Sequence, residues 1–326
     1  MKTSRRKFIT KSILASAGIS TALNSFADGI KSGSINSTLL NKEGSFSINI
    51  FSKNLHWLNY SEMAEAVAEM GFDGIDLTVR TEGHVLPERV EEDLPKAIET
   101  IKKAGLNVYM ITTGINDIES PFAESILKTA NSLGVPYYRM GWIKYDDKIS
   151  IEENLIMIQS KLTRLAELNK KYNIQGHYQN HSGTNFGAPI WDLWTVLKEL
   201  NSPWIGSQYD ILHASVEGAN SWTLGLKLLK PYIGTIDIKD YRWAKKDGKW
   251  IEEIVPLGEG LIDFKKYFKL IKEYTIEGPF SIHYEYPLGG AEKGAKEITM
   301  RKEEVFAAMK RDLTTLKKLI LEAGLR

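Results

Sequence analysis

Four short stretches late in the chain place acid, base and amide side chains two or three residues apart. They read Gln179-Asn-His181, Asp210 with His213 three residues on, Asp237-Ile-Lys239, and His283-Tyr-Glu285. Each follows a run of β-branched or aromatic residues. If each run is a strand, side chains two apart share one face. Carboxylate, imidazole and amide groups around one point are the donors that bind Mn²⁺, Zn²⁺ or Mg²⁺. They are also the groups that hydrogen-bond a polyhydroxy ligand and move protons next to a carbonyl. One strand-end His or Asp alone would be capping or surface polarity. Four successive strands ending this way point to a built site. Trp57, Trp142 and Trp243, with Tyr241, fall just past strand ends and are candidates for the flat wall on which a sugar ring stacks. For each of them, packing at the rim is the competing reading. Lys53, Arg80 and Arg139 add a basic rim that does not demand a phosphate and that salt bridges between layers would explain. Lys239 has a similar alternative, a pair with the adjacent Asp240.

These tips need a scaffold that points them at a common axis. From residue 46 onward, apolar runs near 46–51, 74–78, 107–112, 137–140, 174–179, 204–209, 233–238 and 279–284 read as strands. Amphipathic stretches near 60–70, 88–105, 120–134, 151–172, 188–200, 215–230, 262–274 and 300–323 alternate with them. Leu155, Ile158, Leu162, Leu165 and Leu168 recur at three- and four-residue steps, as on a helix packed along one side. Gly71, Gly105 and Gly134 sit between a helix and the next strand, as helix stops do. Eight strand–helix units without a Gly-rich first turn favour a single closed (β/α)8 barrel, a TIM barrel, over an open doubly wound sheet. Long connections at 241–260 and 285–299 then lie on the functional face.

Composition narrows the function classes. The 326 residues include no cysteine, so disulfides, thiolate metal sites and a Cys nucleophile are excluded. Lys2, Arg5, Arg6, Lys7 and Lys11 precede the first acid, Asp28, and without those five the 42 basic residues become 37 against 41 acidic ones. A net charge near −4 does not suit a nucleic-acid partner. Ser-Arg-Arg-Lys-Phe-Ile at 4–9, a small-residue apolar stretch and Ser25-Phe26-Ala27 resemble a twin-arginine export signal. The expected organisation is a signal peptide at 1–27, a linker at 28–45 and the barrel at 46–326. A periplasmic location follows, favouring unphosphorylated substrates, with no stable membrane insertion once the signal is removed.

The segments GFDGIDL, QNH, YDILHA, IKD and PLGEG, in this order, resemble the xylose-isomerase-like barrels in their sugar phosphate isomerase/epimerase branch, over about residues 46–320. The resemblance implies a divalent metal held by residues at the positions of Gln179, Asp210, Asp237 and His283, with His213 on the substrate. Of these positions only Asp210 retains the ligand type of those relatives. His181 and Glu285, one inward step further along, are the alternative register, which the sequence leaves open. The chemistry implied is removal of a proton beside a sugar carbonyl, with His283 or Glu285 as base and Lys239 stabilising the anion. The substrate is a small carbohydrate bound through His181, His213 and the tryptophans. Gln179 is neutral and removes a base from one side. That opens elimination or hydration on a keto-sugar or keto-glycoside as an alternative to isomerisation, with a non-catalytic sugar-binding barrel as a third reading. A repair endonuclease, also implied by the superfamily, is disfavoured by the acidic mature charge.

Overall fold

In the computed structural model, residues 46–325 are described. The expected signal peptide and linker lie outside the described residues. Eight parallel strands close a barrel: β1 (Ile48–Phe51), β2 (Gly74–Val79), β3 (Asn107–Thr113), β4 (Tyr137–Arg139), β5 (Gln175–Gln179), β6 (Ile205–Asp210), β7 (Ile233–Ile238) and, after a two-stranded insertion, β10 (Phe280–Ile282), which pairs back with β1. Helices α1 (Tyr60–Met70), α2 (Val90–Lys103), α3 (Ala123–Ser132), α4 (Ile151–Lys171), α5 (Ile190–Leu200), α6 (Ile211–Gly218), α7 (Trp222–Leu229), α8 (Phe264–Glu273) and α9 (Lys302–Glu322) follow the strands. The eight expected strands are all present, and Gly71, Gly105 and Gly134 carry the left-handed backbone of helix stops.

Two expectations are corrected. The helix expected at 215–230 is two helices, α6 and α7, and the first begins at Ile211 because Asp210 caps it. The long connection after β7 is not a loop. Residues Asp240–Lys246 (β8) and Lys249–Val255 (β9) form an antiparallel hairpin. Its turn, Asp247-Gly248, has positive φ at both residues, the geometry that matches strand twist in a two-residue hairpin.

The barrel strands are buried on both faces, so their outward side chains belong to the core beneath the helices. Tyr138, Tyr178 and Tyr284 face outward with no exposed surface, and each hydroxyl donates to a fixed acceptor: Asn169, the Phe186 carbonyl and the Met309 carbonyl. The helical faces are set by conventional signals. Asn59 and Ser150 each start a helix with a reciprocal capping box, to Glu62 and Glu153. With the outer shell fixed in this way, the inward side chains at strand ends have little freedom of position.

Candidate active site at the carboxyl end of the barrel

The inward polar residues form two tiers. In the lower one, Asp76 of β2 accepts hydrogen bonds from Thr112 and Ser281 at 2.9 Å each. Asp237 of β7 accepts from Gln208 at 2.7 Å and lies 3.2 Å from His283 Nε2, which is itself 3.9 Å from Asp76. Burial, with the neighbouring Asp237 charge, raises the Asp76 carboxyl above the usual range. Phe51 stacks on the His283 ring at 4.3 Å between centroids. Asp237 has no exposed surface and His283 almost none.

The upper tier is centred on Lys239. Its ammonium lies 2.7 Å from His213 Nε2, 3.0 Å from Asp210 Oδ2 and 3.4 Å from Glu285 Oε2. Asp210 accepts four hydrogen bonds. Leu212 N and His213 N reach Oδ1 at 3.0 and 3.3 Å, and Gln179 Nε2 and Lys239 Nζ reach Oδ2 at 2.9 and 3.0 Å. A carboxylate has about four lone-pair sites, so this one is saturated. Arg139 donates to Gln179 Oε1 at 2.7 Å, which fixes the amide with its oxygen on the guanidinium and its nitrogen on Asp210. Glu285 also pairs with Lys53 at 3.4 Å.

The charges sustain one another. Burial would raise the Asp210 carboxyl, but Lys239 and the adjacent imidazoles hold it at about 2. Burial would lower the Lys239 ammonium, but Asp210, Glu285 and Asp237 raise it above its ordinary value. Glu285, despite burial, is held well below the carboxylate range by Lys239 and Lys53. Lys53 is itself lowered, first by burial and then by the Lys239 charge despite Glu285.

Two imidazoles complete the tier. Lys239 donates to His213 Nε2, so His213 Nδ1 carries the hydrogen and donates to Ser182 Oγ at 2.9 Å. Ser182 then donates to Glu252 of the hairpin at 3.2 Å. The His181 ring lies 3.7 Å from that of His213, and its Nδ1 is 2.9 Å from the Ser182 carbonyl. A carbonyl only accepts, so Nδ1 donates and Nε2 keeps a free lone pair. Burial and the Lys239 charge lower the His181 pKa, so the ring is neutral at pH 7. Trp142, 43% exposed, meets His181 edge-on at 4.8 Å.

The geometry sorts the expected residues. Gln179, Asp210, Lys239, His181, His213, Glu285 and Trp142 come together. Asp237 and His283 lie in the lower tier, with His283 Nε2 3.2 Å from Asp237 Oδ1 and its ring stacked on Phe51. Trp57 stacks on Phe306 of α9 and donates to the Asn54 carbonyl, and no hydrogen bond or ring contact among the described residues joins it to the upper tier. Trp243, 46% exposed, stands on β8 against Tyr241. Lys239 does not pair with Asp240, whose carboxylate instead accepts from the backbone N–H groups of Tyr241, Gly258, Gly260 and Ile262. Salt bridging across layers holds for Lys53 alone: Arg139 bonds an amide, and Arg80 lies over the Phe51 ring, lowered to about 10 by burial and by Arg139. Phe51, Ser182 and Glu252 were not found by sequence reasoning. For Phe51, its place two residues before Lys53 at the end of β1 was the available signal. Ser182 and Glu252 gave none.

A divalent metal does not fit this arrangement. The expected ligands are split between tiers. Asp210 has no lone pair left, the Gln179 oxygen is on Arg139, and an ammonium stands among Asp210, His213 and Glu285. Among the described residues, no group of three or more His, Cys, Asp or Glu side chains is placed to hold a metal ion.

Comparison with known proteins agrees with the fold. The family described as Xylose isomerase-like TIM barrel matches residues 64–303. Among solved structures, the chain is similar to the 3-keto-D-glucoside 4-epimerase YcjR from E. coli (16% identity, 84% of this chain and 100% of that one, TM-score 0.61). It is also similar to the probable 3-DHS dehydratase AsbF of petrobactin synthesis from Bacillus anthracis (15% identity, 83% of this chain and 99% of that one, TM-score 0.62). A third is the IOLI protein with a bound zinc atom (18% identity, 83% of this chain, 98% of that one, TM-score 0.65). At these identities the likeness shows the fold. A search of curated proteins finds no match.

Proposed function

This chain belongs to the xylose isomerase-like TIM barrel family, and we propose that it is a carbohydrate isomerase or epimerase-type enzyme that removes a proton from the carbon beside a sugar carbonyl. The observation that carries this reading is a base next to a fixed cation. His181 has its Nδ1 hydrogen committed to the Ser182 carbonyl and its Nε2 lone pair free, and its ring rests on His213, which Lys239 holds. His181 Nε2 takes the proton. Negative charge then develops on the carbonyl oxygen, and a preorganised cation in a dry site stabilises it. The Lys239 N–H directed at Glu285, the longest of its three contacts, is the one a substrate oxygen would take. Phe51 forms the floor, and Trp142 with His181 forms one wall. Lys53 and Arg80 over the Phe51 ring offer donors to hydroxyls.

Strand order places Lys239 between the strand of Glu285 and the strands of His213 and His181. Return of a proton from the second side, passed from solvent through the Glu285 carboxylate, would complete an epimerisation. A second reading rests on that carboxyl. Held well below its usual range, Glu285 is a weak base, which leaves His181 to do one-sided chemistry, with elimination beside the carbonyl of a keto-sugar as the result. Two structures sharing the fold, named as an epimerase and a probable dehydratase, are compatible with either reading. Incubation with keto-sugars and keto-glycosides in D₂O decides. Deuterium at the carbon beside the carbonyl supports proton transfer, and a new enone absorbance supports elimination. Sugar binding with neither signal marks a non-catalytic binding barrel and removes the proposal. Residues 1–27 are proposed as a twin-arginine signal ahead of a barrel domain at 46–326. N-terminal sequencing of the exported protein, expected to begin at Asp28, tests the signal.

A further inference from the structure

We propose that the Lys239 ammonium is a permanent replacement for a divalent cation at the centre of this site, so that the chain works without a bound metal there and acquires a metal site when that one side chain is shortened. Three independent contacts place the ammonium. It lies within 3.4 Å of an imidazole nitrogen and two carboxylates from two strand ends, Asp210 and His213 at and just past the end of β6 and Glu285 beyond β10. Carboxylate and imidazole are the donors a hard or borderline divalent ion takes. Here each of them directs a lone pair at one nitrogen.

The surroundings are adapted to a single charge. A divalent ion needs negative ligands on several sides, whereas here Gln179 is neutral and its oxygen is turned away to Arg139. Lys53 neutralises the far side of Glu285. The lone pairs of Asp210 are all used, two of them on helix N–H groups that a metal could not replace. An ion entering beside Lys239 would face a positive charge at contact distance and a filled acceptor set. Lys239 has almost no exposed surface, so it cannot swing into water without abandoning all three partners. In the lower tier, Asp76 is engaged with Thr112 and Ser281 and Asp237 Oδ1 with Gln208, while Asp237 Oδ2 and His283 Nε2 have no hydrogen-bond partner among the described residues; the ammonium replaces a cation at the upper position alone.

Shortening Lys239 reverses the situation. It frees one lone pair on Asp210 Oδ2, the His213 Nε2 lone pair and the Glu285 carboxylate around an emptied volume. The test uses the full-length protein and Mn²⁺ as probe, with free Mn²⁺ read by its paramagnetic resonance signal and resident metal by elemental analysis. Neither readout needs a substrate, so this inference and the proposed reaction fail separately. The wild-type protein is expected to carry less than about one-tenth of a divalent ion per chain and to keep its melting temperature in chelator, as a protein with no metal-linked folding does. Lys239→Ala is expected to bind one Mn²⁺ at least about a hundredfold more tightly than wild type, because a like charge has been removed and ligands released. That gain should disappear when Asp210→Asn is added. If Lys239→Ala does not fold, Lys239→Gln makes the same comparison without the charge. The proposal is overturned by a stoichiometric ion in the wild type that Asp210→Asn releases, or by Mn²⁺ affinity that neither Lys239 variant raises.

Discussion

Replacing Asp210 by Asn tests whether one buried carboxylate organises this site. The change is nearly isosteric, but the new group cannot serve both of its neighbours. If its oxygen keeps the cap on Leu212 and His213, its NH₂ faces the Lys239 ammonium and the Gln179 NH₂, donor against donor. If it turns, α6 loses its cap. Either way Lys239 stays buried with only the longer contact to Glu285 as an anionic partner. Breaking a buried pair on one side costs about 3–5 kcal/mol. The pH dependence adds a second readout. Asp210 is depressed from 3.8 to about 2 on folding. A depressed carboxyl contributes stability that is complete above the unfolded value and is lost as pH falls through the folded one. That contribution is about 2 kcal/mol, and about 1 kcal/mol of it is gone by pH 3. Urea unfolding of both proteins at pH 7 and pH 3 measures the gap. Other carboxylates titrate in both proteins and cancel, so the gap is expected to narrow at pH 3. A cost below about 1 kcal/mol at pH 7, with a gap independent of pH, would refute the buried pair and the site built on it.

Three further outcomes follow from the geometry. His181→Gln is expected to lower kcat by about 10²–10⁴-fold with an unchanged unfolding midpoint, as for loss of a general base. Because burial and Lys239 keep the His181 pKa below 6.5, the wild-type rate should hold as pH falls to 6.5 and decline only below it; a half-loss of rate already at pH 7 would exclude His181 as the base. Gly260→Ala is expected to cost about 1–3 kcal/mol by overpacking, since its Cβ would stand 2.1 Å from Asp240 Oδ1 and 2.4 Å from the Tyr241 carbonyl oxygen; an unchanged urea midpoint would contradict this. Trp142→Ala should raise KM with little change in stability, whereas Trp57→Ala should cost about 2 kcal/mol with KM unchanged, less than a fully buried Trp; steady-state kinetics beside urea unfolding separates the two.

The scaffold was legible because its signals are local and repeated. A glycine after each of three helices, β-branched runs of strand length and three-to-four-residue leucine spacing each depend on near neighbours. The hairpin was missed because β8 and β9 are largely exposed and carry Arg242, Lys245, Lys246 and Lys249, so they lack the apolar run that marks a barrel strand. Asp240 and the PLGEG stretch were both noticed, but their relation was not. The carboxylate collects backbone N–H groups from the stretch eighteen to twenty-two residues later, and this ties the start of β8 to the chain leaving the hairpin. Nothing in either segment alone expresses that.

The site itself was half legible for a geometrical reason. Period-two alternation identifies the inward residues of a strand but not their height in the barrel. Tilted strands stagger neighbouring side chains along the axis. Asp210 and Asp237 are direct partners in the ladder, yet the side chain that reaches Asp210 is Lys239, one inward step further on. The same step separates His283 from Glu285. A reading that takes the first inward polar pair at each strand end selects Asp237 and His283 and obtains a metal set. A reading that allows for stagger selects Lys239 and Glu285 and obtains an ion-pair set. The two differ by one residue pair per strand and predict opposite responses to Lys239→Ala. Loss of a ligand-free cation opens the site to a metal in one case, and in the other the substitution leaves an existing metal in place.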